Sequence, residues 1–271
     1  MNSLNSPNSL NSPTILLETA VAAAQAGAAH AVRERARNKD ANLVCAHDVK
    51  LKLDVECQRV VSDVVLARFP GHSILGEEDE NRADETSAAT YEWVVDPIDG
   101  TVNFFHGNPY WCCSVAVRRE GEVLAGCVAA PDMGLLFQAS ADTPALCNSE
   151  PIRVSEINRP DFALFHTGAD KSDHSQDTPF RFFTAIGNIA QRPRVFGAAA
   201  LDICMVARGS ADGYFEPGIF IWDIAAGDLI LRRAGGVSEV LKEHGGNRMA
   251  YLATNGLIHT PFREILGAFH I

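Results

Sequence analysis

Two carboxylates three residues apart, Asp96 and Asp99, lie in the stretch Trp93-Val94-Val95-Asp96-Pro97-Ile98-Asp99-Gly100-Thr101. The apolar run before them reads as a strand. The proline-stiffened turn after it lets both side chains and the intervening Ile98 carbonyl converge on one point. Such an all-oxygen arrangement suits a hard cation such as Mg²⁺. Asp-Pro and Asp-Gly are also common turn dipeptides, so these residues alone leave a metal site and a surface turn both open. Glu77, followed by Glu78, stands after Gly76 at the end of a second apolar run, Ser73-Ile74-Leu75. Adjacent acids in a loop are usually only solvated. Asp223 follows Ile219-Phe220-Ile221-Trp222, where an apolar run turns into a helix, and Asp54 heads another helix. An Asp at a helix N-cap is structural by itself.

The elements that must position these residues can be read from periodicity. Leu17, Val21, Ala24, Ala28 and Ala31 share one face of a helix predicted over residues 14–37. A second helix is predicted from Asp54 to Arg68, with a valine stripe at 60, 61, 64 and 65 and a stop at Phe69-Pro70-Gly71. A short strand at 73–75, an exposed acidic loop over 79–91, a hairpin of 112–118 with 123–130, and a strand at 134–140 follow. Beyond Glu150 strands and helices alternate: strands near 162–166, 194–196, 213–216 and 251–254, and helices near 178–186, 198–208, 223–234 and 261–270. Residues 1–13, a hexamer written twice after the initial Met, are expected to be a disordered leader. An N-terminal α+β half over 14–150 and a C-terminal α/β half over 151–271 are expected to follow.

The chain has 271 residues, 46% of them apolar, and a formal net charge of −11. That balance argues against nucleic-acid binding, which needs a basic stripe. A phosphorylated substrate would have to be attracted by cations in the site rather than by net charge. The seven cysteines are odd in number and contain no C-x-x-C, so buried free thiols in a reducing cytosol are expected. No continuous apolar run reaches the ~20 residues of a membrane span, and no secretory signal is evident. Neither a membrane nor a nucleic acid is an expected partner. His106 is expected to be a loop hydrogen-bonder, and His47, His166 and His174 show no ligand spacing.

Taken together, Gly76-Glu77-Glu78, Asp96-Pro97-Ile98-Asp99-Gly100-Thr101, Gly197-Ala198-Ala199-Ala200, Tyr214-Phe215-Glu216-Pro217-Gly218-Ile219 and Trp222-Asp223 resemble the inositol monophosphatase family. The resemblance runs from about Thr14 to the C-terminus in order and at compatible spacing. It implies the layered α-β-α-β-α sandwich of the inositol monophosphatase and fructose-1,6-bisphosphatase type, usually a homodimer, and a metal-dependent phosphomonoesterase using about two to three Mg²⁺ ions. By resemblance, Glu77, Asp96 and the Ile98 carbonyl hold one ion, and Asp96, Asp99 and Asp223 a second. Glu77 with water holds a third, weaker ion. Asp54 and Thr101 form a hydrogen-bonded pair that, with Glu77, orients the attacking water. The backbone of Gly100 and Thr101 approaches the phosphate, while Asp99, Gly197, Ala198, Ala199 and Glu216 meet the alcohol. The expected substrate is a small phosphorylated polyol or sugar, myo-inositol 1-phosphate first. Alternatives are fructose 1,6-bisphosphate, histidinol phosphate and 3′-phosphoadenosine 5′-phosphate. Some relatives interact with transcription machinery, so a regulatory binding protein retaining the fold is the reading from another class. Two lysines, Lys50 and Lys52, stand where the loop near the third metal usually has small or uncharged residues, and the loop lysine common in these enzymes has no clean counterpart. That departure bears on third-metal affinity and lithium sensitivity.

Overall fold

The computed structural model describes residues 10–39, 41–44, 49–79, 89–168 and 180–269. In chain order its helices and strands are α1 (Pro13–Arg33), β1 (Ala41–Val44), β2 (Val49–Leu51), α2 (Lys52–Arg68), β3 (Ser73–Gly76), β4 (Tyr91–Asp99), α3 (Thr101–His106), β5 (Cys112–Arg119), β6 (Glu122–Ala130), β7 (Leu135–Ser140), β8 (Leu146–Cys147) and β9 (Glu150–Pro151). They continue as β10 (Leu164–Thr167), α4 (Arg181–Ile189), β11 (Arg192–Arg194), α5 (Ala199–Ala207), β12 (Gly213–Phe220), α6 (Ile221–Arg233), β13 (Val237–Gly245), β14 (Arg248–Thr254) and α7 (His259–Gly267).

Strands β3 to β9 form a seven-stranded sheet in sequence order, and the second sheet has the order β11-β10-β12-β14-β13. Helices α1 and α2 cover the outer face of the larger sheet, α5 and α6 lie between the sheets, and α4 and α7 cover the far face of the smaller one. This is the expected α-β-α-β-α sandwich. A strand covered on both faces buries every side chain. Alternation then decides only which layer each residue joins: Trp93 and Val95 face α1 and α2, and Val94 faces α5 and α6. Cys112 and Cys113 likewise point to opposite layers, yet both are fully buried. The apolar cluster around α5 and α6 draws residues from both sheets, including Phe137 and Tyr251.

Several boundaries differ from the sequence reading. Helix α1 starts at Pro13, inside the expected leader, because proline's missing N–H costs nothing in a first turn. It is also long and apolar enough by composition to cross a membrane. Here it packs as a core helix, with Leu16, Ala20, Ala23 and Ala24 buried against the larger sheet. Strand β13 was missed because its residues are mostly exposed or half-buried and carry no clean alternation. The strand expected at 194–196 pairs instead at 192–194. Helix α4 begins at Arg181; the expected start at Thr178 lies outside the described residues, as do His47, His174 and residues 1–9. The described cysteines, 57, 112, 113, 127, 147 and 204, are buried free thiols.

Two β-bulges set up the site. On β4, Asp96 pairs with Ser114 and Asp99 with Cys112, so β4 spends one residue more than β5 across Pro97 and Ile98. On β12, Glu216 pairs with Tyr251 and Ile219 with Met249, with the extra residue at Pro217-Gly218. Proline cannot donate to a ladder, so each acid-proline step breaks the register there. Asp96 and Asp99 therefore belong to a bulged strand rather than to a turn beyond its end.

Candidate active site

Strands β3 and β4 run parallel with Gly76 opposite Val95. The next residues, Glu77 just past the end of β3 and Asp96 within β4, thus lie side by side. Helix α6 follows β12 without a loop, which carries Asp223 to the same place. Carboxylate oxygens of Asp96, Asp99 and Asp223 lie within 4.8 Å of one another.

Each acid is held by backbone donors. Asp96 Oδ1 accepts the Ile98 N–H at 3.0 Å. Asp99 accepts the N–H groups of Ala199 at 3.0 Å and Ala200 at 2.8 Å, and the Cys112 thiol at 3.3 Å. Asp223 Oδ2 accepts the Phe220 N–H at 3.0 Å. Asp54 Oδ2 accepts the Leu51 N–H at 2.8 Å in the same way. Asp54 and Asp223 are each the third residue of their helix, reaching back to the residue before it, rather than N-caps as their sequence contexts suggested.

Burial pushes Asp96 and Asp223 well above the usual carboxylate range, and the neighbouring charges of Glu77 and Asp99 add to it. Burial also raises Asp99, to about 6, against the pull of its donors. None of these three carboxylates has a Lys or Arg ion pair among the described residues. Buried, crowded, oxygen-only ligands without a basic counterpart fit a hard divalent cation.

The Thr101 hydroxyl donates to the Ile98 carbonyl at 3.0 Å. Its one proton is therefore directed at that carbonyl and not at Asp54, unlike the expected pair. Gly100 adopts φ +90°, and a Cβ there would lie 3.1 Å from Ala198 Cβ and from the Tyr110 carbonyl. Glycine at 100 is thus what lets the 197–198 segment close against the end of β4.

A cavity of about 210 Å³ opens beside the acids, lined among others by Asp99, Ala199, Asp202, Tyr214, Glu216 and Asp223. The Tyr214 hydroxyl donates to Glu216 Oε2 at 3.0 Å. A Cβ at Gly168 would overlap that oxygen, so glycine is needed where Glu216 lies. Asp202 was not singled out from the sequence; the signal available was one carboxylate inside the apolar helix Ala199–Ala207. His106 is exposed, against the Phe105 ring. His166, read from sequence as having no ligand spacing, is buried and bonded to Asp202 at 2.7 Å.

Comparison with known proteins gives one consistent neighbourhood. The model of the inositol monophosphatase family matches residues 13–268. The chain is 35% identical over 266 residues to the chloroplastic phosphatase IMPL1 of Arabidopsis thaliana, covering 93% of this chain and 70% of that one. It is also 35% identical over 228 residues to the Nus factor SuhB of Pasteurella multocida, covering 83% and 82%. The solved inositol monophosphatase of Anabaena superposes with a TM-score of 0.79 at 31% identity, covering 93% of this chain and 95% of that one.

Proposed function

The chain belongs to the inositol monophosphatase family and is a phosphoric monoester hydrolase of that generally metal-dependent group; from that premise we propose that it hydrolyses a small phosphorylated polyol, myo-inositol 1-phosphate first, with Mg²⁺ as its ion. The observation that carries the reading is the convergence of Asp96, Asp99 and Asp223 beside a cavity that also presents Glu216.

In this reading Glu77, Asp96 and the Ile98 carbonyl would hold one ion, Asp96, Asp99 and Asp223 a second, and Glu77 with water a third. When bound, such ions neutralise phosphate charge and lower the pKa of a water enough for attack near neutral pH. With the first two ions bound, the four carboxylates would formally offset them, so a phosphate dianion would meet a nearly neutral site and could leave after hydrolysis. Asp54, Glu77 and Thr101 orient the attacking water. Because the Thr101 hydroxyl already donates to Ile98, its lone pairs remain for a water proton. The backbone of Gly100 and Thr101 faces the phosphate. Glu216, Asp99 and the 197–199 backbone meet the hydroxyls of the alcohol. A homodimer is part of the proposal, and light scattering of the purified protein tests it.

Phosphate release from myo-inositol 1-phosphate, fructose 1,6-bisphosphate, histidinol phosphate and 3′-phosphoadenosine 5′-phosphate, with and without Mg²⁺, tests the activity. The expected result is Mg²⁺-dependent release, fastest from the inositol ester. No Mg²⁺-dependent release from any of them would overturn the reading. The similarity to a protein named a Nus factor favours a second reading, a regulatory binding protein with this fold. A stoichiometric partner that stays bound to the Asp96→Asn variant would support it.

A further inference from the structure

In the cavity wall lies a nearly buried assembly, centred on Asp202, that the hydrolysis above does not use. Asp202 is 2% exposed and His166 3%. The Tyr110 hydroxyl donates to Asp202 Oδ1 at 2.7 Å, and His166 Nδ1 lies 2.7 Å from the same oxygen. An ionised carboxylate only accepts, which places the ring proton of His166 on Nδ1. The donors are themselves braced. Phe196 stacks on Tyr110 with centroids 4.8 Å apart and meets His166 edge-on at 4.8 Å. Asn103 Nδ2 donates to the Tyr110 and Phe196 carbonyls at 2.8 and 2.7 Å.

Both donors thus converge on one oxygen of Asp202. The other, Oδ2, takes no hydrogen bond from the described residues and is not sealed within the protein; Asp202 lines the cavity. Leaving a carboxylate oxygen without a donor in a nearly buried position is costly. A bound molecule that supplies the donor removes that cost. A rigid acceptor of this kind discriminates strongly between an alcohol with a hydroxyl at the right place and one without it.

We propose that Asp202 is a specificity-determining residue, whose Oδ2, aimed by Tyr110 and His166, accepts a hydrogen bond from a hydroxyl of the substrate's alcohol part, as a further carboxylate acceptor beside Glu216 and Asp99. The inference rests on the phosphomonoesterase reading and narrows it to a polyhydroxylated alcohol with hydroxyls on more than one side. Simple alkyl phosphates of the same size lack the matching donors.

The test compares myo-inositol 1-phosphate with cyclohexyl phosphate, which keeps the six-membered ring and loses the hydroxyls, at saturating Mg²⁺. In Asp202→Asn the amide oxygen can take over the Tyr110 and His166 bonds, which turns the cavity-facing acceptor into a donor. The expected result is a fall of about tenfold or more in the ratio of kcat/KM for the inositol ester over the cyclohexyl ester, carried mainly by KM for the inositol ester. An unchanged ratio in a folded Asp202→Asn variant would overturn the proposal. If that variant does not fold, Tyr110→Phe, which keeps Oδ2 but frees the carboxylate to turn, decides. A smaller fall in the same ratio supports the proposal, and an unchanged ratio overturns it. Failure of the wild-type protein to hydrolyse either ester with Mg²⁺ would instead overturn the underlying reading, and this one with it.

Discussion

Asp99 accepts the backbone N–H of Ala200 at 2.8 Å, joining residues 101 positions apart. Through that bond one carboxylate ties the bulged end of β4 to the first turn of α5, and so the larger sheet to the layer between the sheets. The same carboxylate stands in the acid cluster. Its orientation is therefore set by the packing of α5 against the end of β4 rather than by its neighbours in the chain.

The closeness of that latch depends on Gly100. In Gly100→Ala the new Cβ would meet Ala198 and the Tyr110 carbonyl at 3.1 Å, at a φ of +90°. We expect a loss of about 1–3 kcal/mol in urea unfolding, with a rise in KM as the 197–200 segment is pushed away. Wild-type stability in this variant would refute the account of the latch.

Asp96→Asn should separate stability from function. Asp96 lies amid Glu77, Asp99 and Asp223 and is pushed upward by burial and by their charges. With chelator present, removing its charge should raise Tm, by about 2–4 °C for each kcal/mol relieved. Added Mg²⁺ should raise the wild-type Tm in proportion to the logarithm of its concentration above Kd. In the variant that rise should be small and turnover should be lost. Calorimetry in chelator and in Mg²⁺, beside phosphate release, checks all four.

Thr101→Ala removes the hydroxyl that we propose orients the nucleophile and leaves the cavity lining intact. A fall in kcat of about 10²-fold, with little change in KM, is the expected outcome of steady-state kinetics. Thr101→Ser, which keeps the hydroxyl, should recover most of it. A change confined to KM would remove Thr101 from that role.

His72 sets a pH dependence away from the site. Its Nδ1 accepts the Trp93 indole N–H at 3.0 Å, and its ring stacks on Phe69 and Tyr91 at 4.5 and 4.8 Å. Burial lowers its pKa below the ordinary 6.5. The unfolded chain therefore binds more protons than the folded one just below pH 6.5, so this contribution is present above that pH and is lost as pH falls through the window. Urea unfolding between pH 7.5 and 5 should show the wild type losing more stability than His72→Gln. Parallel curves would contradict it.

The layers of the fold were largely legible. Helices with an apolar stripe, such as 60–65 of α2, and strands with long apolar runs, such as 93–95 of β4, carry their period in the residues that pack. Strand β13 was not legible, because a strand exposed along most of its length is held by its ladder to β14 and not by a buried face. Burial of both Cys112 and Cys113 agrees with the expectation of buried free thiols, since helices on both faces cover the strand that carries them.

At the site, the residue types were determined by the sequence alone: an acid-proline step on β4, another on β12, and an Asp at the start of α6. Carboxylate chemistry and a missing proline N–H are properties of single residues and their neighbours, and they hold before folding. The tertiary structure decided which acids meet. Parallel pairing of β3 with β4 set Glu77 beside Asp96, and the unbroken passage from β12 to α6 brought Asp223 to within 4.8 Å of Asp96 and Asp99. It also bound Asp202 of α5 to His166 of β10 and to Tyr110 in the segment before β5. Distances between residues far apart in the chain depend on how layers stack, and no local pattern carries that information.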